Sequence, residues 1–193
     1  MNGYVEIMKN AISGYRDQVK KTRAEQEHIM QTYNETAARE ALDKSAVNLA
    51  KARREAESAI AAASHAEYER AKSWATLDAS KLTDDVKLLD MGVTPKQFGE
   101  LVERYHDNYS MLTALTRYAE RQNAINSQQA HGIPKEYYTT TNIPSLQGRL
   151  NNIDHVTRGA MSMLDMADAT DAVRYNLADT AIEKWGMTDG EQA

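Results

Sequence analysis

The sequence predicts an all-α protein, on three observations. Apolar residues recur in alternating steps of three and four over most of the chain. Helix breakers are scarce: there are three prolines in 193 residues, and between Tyr4 and Ala79 there is no proline and one glycine, Gly14. The composition otherwise favours Ala, Glu, Lys, Arg, Leu and Gln, which have high intrinsic helix propensity. A mean hydropathy of -0.67 is polar for a compact globule and suits helices with much exposed surface.

Residues 1–79 read as a long helical rod with coiled-coil character. Val5, Met8, Ile12, Tyr15 and Val19 form a heptad seam that weakens at Thr22 and Gln26 and returns at Ile29 and Tyr33. A second register runs through Leu42, Ala46, Leu49, Arg53, Ala56, Ile60 and Ala63. The phase slips within "TYNETAAREAL", between Tyr33 and Leu42. Two readings fit the slip: a stutter in one continuous helix, or a corner at which Asn34 caps a new one. A continuous helix would be about 110 Å long. An alanine-rich seam buries little area, so a lone helix would be marginal. The rod must pack on another copy, on another part of this chain or on a partner. The expected self-association seam is Val5, Met8, Ile12, Val19, Ile29, Leu42, Leu49 and Ile60. Lys51 with Glu55 and Arg53 with Glu57 read as a solvated helix face.

Residues 80–122 read as a small head of three short helices. Leu82, Val86 and Leu89 give the first, with Thr83 as its expected N-cap and Asp84 and Asp85 in its first turn, where the helix dipole favours negative charge. Gly92 ends it. Thr94-Pro95-Lys96-Gln97 opens the second as a capping box with Pro at the first helical position. Its inner face is Phe98, Leu101, Val102 and Tyr105. Asp107 or Asn108 leads into the third, with Met111, Leu112, Leu115, Tyr118 and Ala119 inward. Residues 123–144 read as a long polar loop holding Gly132, Pro134 and Pro144, and its Tyr137 and Tyr138 are candidate partner-binding anchors. Ser145 caps a C-terminal helix expected over 145–185. Its apolar face passes a defect at Asp168–Ala172 and continues through Val173, Leu177, Ile182 and Trp185, with a tail at 186–193. Met161, Met163 and Met166 make a soft patch, readable as core filling or as a partner-binding surface.

The sequence offers little for catalysis. With no cysteine there is no disulfide, thiol nucleophile or thiolate metal site. A net charge of -5 argues against general nucleic-acid binding. The opening "MNGYVEIMKNAISGYRD" lacks the basic start and apolar run of a secretory leader. No stretch approaches the roughly 18 apolar residues needed to span a bilayer, so no membrane contact is expected. His28, His65, His106, His131 and His155 form no pair three or four residues apart, and only His106 has an acidic neighbour, Asp107. Asp84 and Asp85 are adjacent, so on a helix they diverge by roughly 100° and do not converge on one substrate. The expectation is a non-enzyme with no cofactor and no metal.

One stretch is similar to a known group. "WATLDASKLTDDVKLLDMGVTPKQFGELVERYHDNYSMLTALTRYAE", Trp74 to Glu120, resembles a segment of small helical proteins encoded in the head-morphogenesis region of tailed bacteriophages and prophages. The "LDASKLTDDVKLL" block, the helix start after Gly92 and the "NYSM…YAE" helix carry the likeness. The resemblance implies a structural or assembly protein of the capsid region, either scaffold-like or a minor virion component. It would act by self-association and by binding capsid or connector proteins, in the virion or in the host cytoplasm during assembly. The alternative class is a cytoplasmic adaptor that binds partner helices through the seam.

Overall fold

A computed structural model describes residues 3–128 and 136–168. They form α1 (Gly3–Thr32), α2 (Glu35–Trp74), a 3-10 turn (Ala79–Lys81), α3 (Val86–Met91), α4 (Pro95–Arg104), α5 (Tyr109–Gln128) and α6 (Leu146–Asp168). No strand occurs among the described residues, and the all-α expectation holds. The chain divides into two compact units: Met1–Tyr68 with Asn152–Ala193, and Glu69–Asn151. The expected division near Ala79 lies earlier, at Tyr68, because Trp74 packs on the second unit's core.

In the first unit the rod is broken. The Asn34 side-chain oxygen accepts the amide of Ala37 at 3.1 Å, and α2 begins at Glu35. Of the two readings of the phase slip, the capped corner is the one found. Gly14 and Gln18 share a notch with Ala52 and Glu55, while Ile29 and Tyr33 share another with Ala41 and Lys44. Early residues of α1 thus meet late residues of α2, which makes the two helices an antiparallel hairpin. α6 lies on it. The Tyr68 hydroxyl donates to Asp154, Thr157 Oγ1 to Ser64 Oγ at 2.9 Å, and the Arg53 guanidinium to Asp165. The core combines Tyr4, Val5, Met8, Ile12, Tyr15 and Val19 with Ala56, Ile60 and Ala63, and with Ala160, Met163, Leu164 and Ala167. The α2 alanines let the larger α1 and α6 side chains approach the backbone closely.

This packing corrects the expected association seam. Val5, Met8, Ile12, Val19 and Ile60 are at most 3% exposed, buried by their own chain. Each fully buried aliphatic side chain contributes about 1.5–3 kcal/mol. Ile29, Leu42 and Leu49 are half-buried. A seam spent on the hairpin and α6 is not free for a second copy.

In the second unit, α3, α4 and α5 enclose Leu89, Val93, Phe98, Leu101, Leu112, Leu115, Tyr118 and Ala119, with Tyr138 added from beyond α5. Gly92 has φ 88°, a conformation that side-chain-bearing residues avoid, and it turns the chain from α3 towards α4. Thr94 and Gln97 form the expected capping box, with Pro95 opening α4. Asn108 Oδ1 accepts the amide of Met111 at 3.2 Å, and Ser145 Oγ that of Gly148 at 3.0 Å, so both expected caps form. Three boundaries differ from expectation. α3 starts only at Val86 and leaves Leu82 exposed. α5 runs on to Gln128, so the loop does not begin at Asn123. Residues 136–140 are extended without pairing as a strand. The defect at 168–172, the row Val173, Leu177, Ile182 and Trp185, the tail, His131 and Pro134 lie outside the described residues.

Candidate interaction surfaces

The two aspartates of the head behave differently. Asp84 is exposed (90%) and pairs with Lys87 Nζ at 2.6 Å, one turn along its own helix. Asp85 is only 27% exposed, and its Oδ2 accepts from the Tyr105 hydroxyl at 2.8 Å and Arg104 Nη1 at 2.9 Å. The Tyr105 hydroxyl in turn accepts from Thr83 Oγ1 at 2.9 Å. Thr83 is therefore not the N-cap of α3. That position belongs to Asp85, whose carboxylate makes no capping bond because it is engaged with α4. The result is a polar strap, Thr83–Tyr105–Asp85–Arg104, tying the start of α3 to the end of α4.

Tyr137 and Tyr138 part company too. Tyr137 is exposed. Tyr138 is buried in its own unit, against Phe98 and Tyr118, both edge-on at 5.4 Å. Its hydroxyl donates to the Val93 carbonyl at 2.6 Å. Its backbone is held by one side chain. Asn123 Nδ2 donates to the Tyr138 carbonyl at 2.9 Å, and Asn123 Oδ1 accepts the Tyr138 amide at 2.8 Å. A carboxamide in this geometry imitates a strand neighbour, which is how an unpaired extended segment docks on a helix. Burial, then the hydrogen bond with Tyr118, pushes the Tyr138 phenol up to about 12. Tyr138 is thus a core residue, not a partner anchor.

The methionine patch resolves the same way. Met163 is buried, while Met161 and Met166 are half-buried and pack on the first unit's core. The core-filling reading is the one the structure supports.

Sequence reasoning missed a clasp around Trp74. Its indole Nε1 donates to the Asp107 carbonyl at 2.9 Å, and its ring meets Tyr109 edge-on at 5.0 Å. The Arg149 guanidinium lies 3.6 Å from the centre of the ring, a cation–π contact, and reaches Asp107 Oδ1 at 3.4 Å. His106 Nε2 lies 3.2 Å from Asp107 Oδ2 on the solvent side. Nearby, the Asp78 carboxylate accepts from the Ser80 amide and hydroxyl, and these two bonds hold its pKa below the usual carboxylate range. Only the adjacency of His106 and Asp107 was visible in advance. Trp74 and Arg149 are 75 positions apart, and no local pattern links them.

Two concave surfaces remain on the second unit. A cleft of about 540 Å3 runs between α5 and residues 140–146, lined by Thr113, Thr116, Arg117, Glu120 and Ile143 among others. A shallower notch of about 280 Å3 lies between α3 and α4, with Leu88 and Met91 at its rim and Glu100 and Arg104 opposite. Met91 is 80% exposed, and Leu77, Leu82 and Leu88 are exposed as well. Among the described residues no three His, Asp or Glu side chains gather as a metal site, and no helix is long and apolar enough to cross a membrane. Compared with known protein families, curated proteins and solved structures, the chain matches none.

Proposed function

We propose that this chain is a non-enzymatic structural or assembly protein of a tailed phage's capsid region, working through protein–protein contacts. The observation that carries the reading is a coincidence of place. Trp74 to Glu120, the stretch that resembles phage head-region proteins, is also where the second unit leaves Leu77, Leu82, Leu88 and Met91 in water. Apolar side chains grouped beside a notch and rimmed by charge are what a protein-binding surface requires. The first unit spends its seam on itself, so contacts with other chains fall to surfaces such as this one. The adaptor alternative needed that seam for partner helices, and no other observation favours it.

Mass spectrometry of purified particles and of assembly intermediates from a phage or lysogen carrying the gene tests the reading. The expected result is stoichiometric copies in at least one of the two fractions. Leu88→Glu with Met91→Glu should keep the protein folded and deplete it from that fraction. Absence of the wild-type chain from both fractions would overturn the proposal.

A further inference from the structure

Between Thr22 on α1 and Ser45 on α2 no described side chain is buried, although the turns before and after that stretch build the first unit's core. This far half of the hairpin is nonetheless apolar along one face. The α2 row that meets α6 at Tyr68, Ser64 and Arg53 continues at the same three-and-four spacing through Leu49, Ala46 and Leu42. The opposing helix contributes Met30, 72% exposed.

The course of α6 says what covers this face. α6 runs antiparallel to α2, from Asp154 beside Tyr68 to Asp165 beside Arg53, and reaches Asp168 heading towards the bare half. Residues 169–193 follow from that point. A helix from there to Trp185 would extend about 25 Å, and the uncovered part of α2 back to the turn at Asn34 measures about the same. The sequence stops at the matching place. Gly186 follows Trp185, and Leu177, Ala178, Ala181, Ile182 and Trp185 fall on one 3.6-residue stripe.

We propose that Leu177–Trp185 of the same chain docks as a third helix on the far half of the hairpin, placing its apolar stripe on Met30, Leu42 and Ala46. The register set by α6 brings Ala178 level with Leu42. This proposal stands apart from the phage reading and survives its failure.

The chain has no cysteine, so introduced thiols report cleanly. Under mild oxidation, full-length Leu42→Cys with Ala178→Cys should form an intramolecular disulfide. Val47→Cys with Ala178→Cys should not, because Val47 lies off the α2 row that meets α6. Labelling gives a second readout that needs no cross-link. The Met30→Cys thiol should react on the order of tenfold more slowly than the same thiol in a chain that also carries Leu177→Ser and Trp185→Ser. A disulfide forming only between chains would show that a second copy occupies the face. That result, or equal labelling rates in the two chains, would overturn the proposal.

Discussion

Asp84 and Asp85 sit side by side, yet their energetic roles diverge. Asp85 accepts two bonds from α4, one of them from a cation, in a partly buried place. Hydrogen bonds to a charged group are worth about 1.5–3 kcal/mol before solvent screening, so Asp85→Ala should cost about 1–2 kcal/mol in denaturant unfolding. Asp84→Ala removes an exposed ion pair and should stay within about 0.5 kcal/mol. Equal costs would remove the case for the strap. Tyr138 makes the second residue-scale prediction. Its pKa is raised in the fold, so the stability it contributes is fully present below the ordinary phenol value of 10.0 and is lost as pH rises towards about 12. Tyr138→Phe should cost about 1 kcal/mol at neutral pH through its lost bond to Val93. It should also flatten the fall in melting temperature between those two pH values, and an unchanged alkaline slope would contradict the assignment.

At the scale of elements, helix ends were the most legible feature and helix partners the least. Thr94 with Gln97, Asn108, Ser145 and Gly92 are local devices, each complete within four residues, and each does in the structure what its sequence context implies. Gly92→Ala forces a side chain into a backbone conformation reserved for glycine, although nothing lies within 4 Å of the added carbon. The cost is therefore conformational alone, about 1–3 kcal/mol, measurable as a lower unfolding midpoint. Thr83 was misread because its partner, the Tyr105 hydroxyl, is 22 residues away and outcompetes the local cap. Tyr138 was misread because an aromatic in a polar loop looks like an exposed anchor. The Asn123 carboxamide that folds it inward leaves no periodic trace. The Trp74–Arg149 clasp was invisible for the same reason of distance in sequence.

At the scale of the molecule, the heptad pattern of residues 1–79 reported a buried face and was silent on what buries it. A seam looks the same in sequence whether its partner is another copy or the chain's own next helix. Asn34 turns it back on itself, and α6 completes the core. Ile12→Asp with Ile60→Asp therefore places two carboxylates in one protomer's core. The expected result is loss of helical signal and unfolding of the first unit, each buried charge costing several kcal/mol. Circular dichroism with sedimentation checks this. A folded double variant of reduced mass would return the seam to the interface between copies.

Spin labels on Gly14→Cys and Glu55→Cys test the hairpin most directly. The two positions line one notch in the first unit, and an added side chain at Gly14 meets nothing within 4 Å. In a continuous helix they would stand about 60 Å apart. The account predicts a short distance, on the order of 15 Å with label linkers, from helices packed 8–10 Å apart. That distance should be unchanged when the labelled chain is diluted into excess unlabelled protein. A distribution centred near 60 Å, or a short distance that vanishes on dilution, would contradict it.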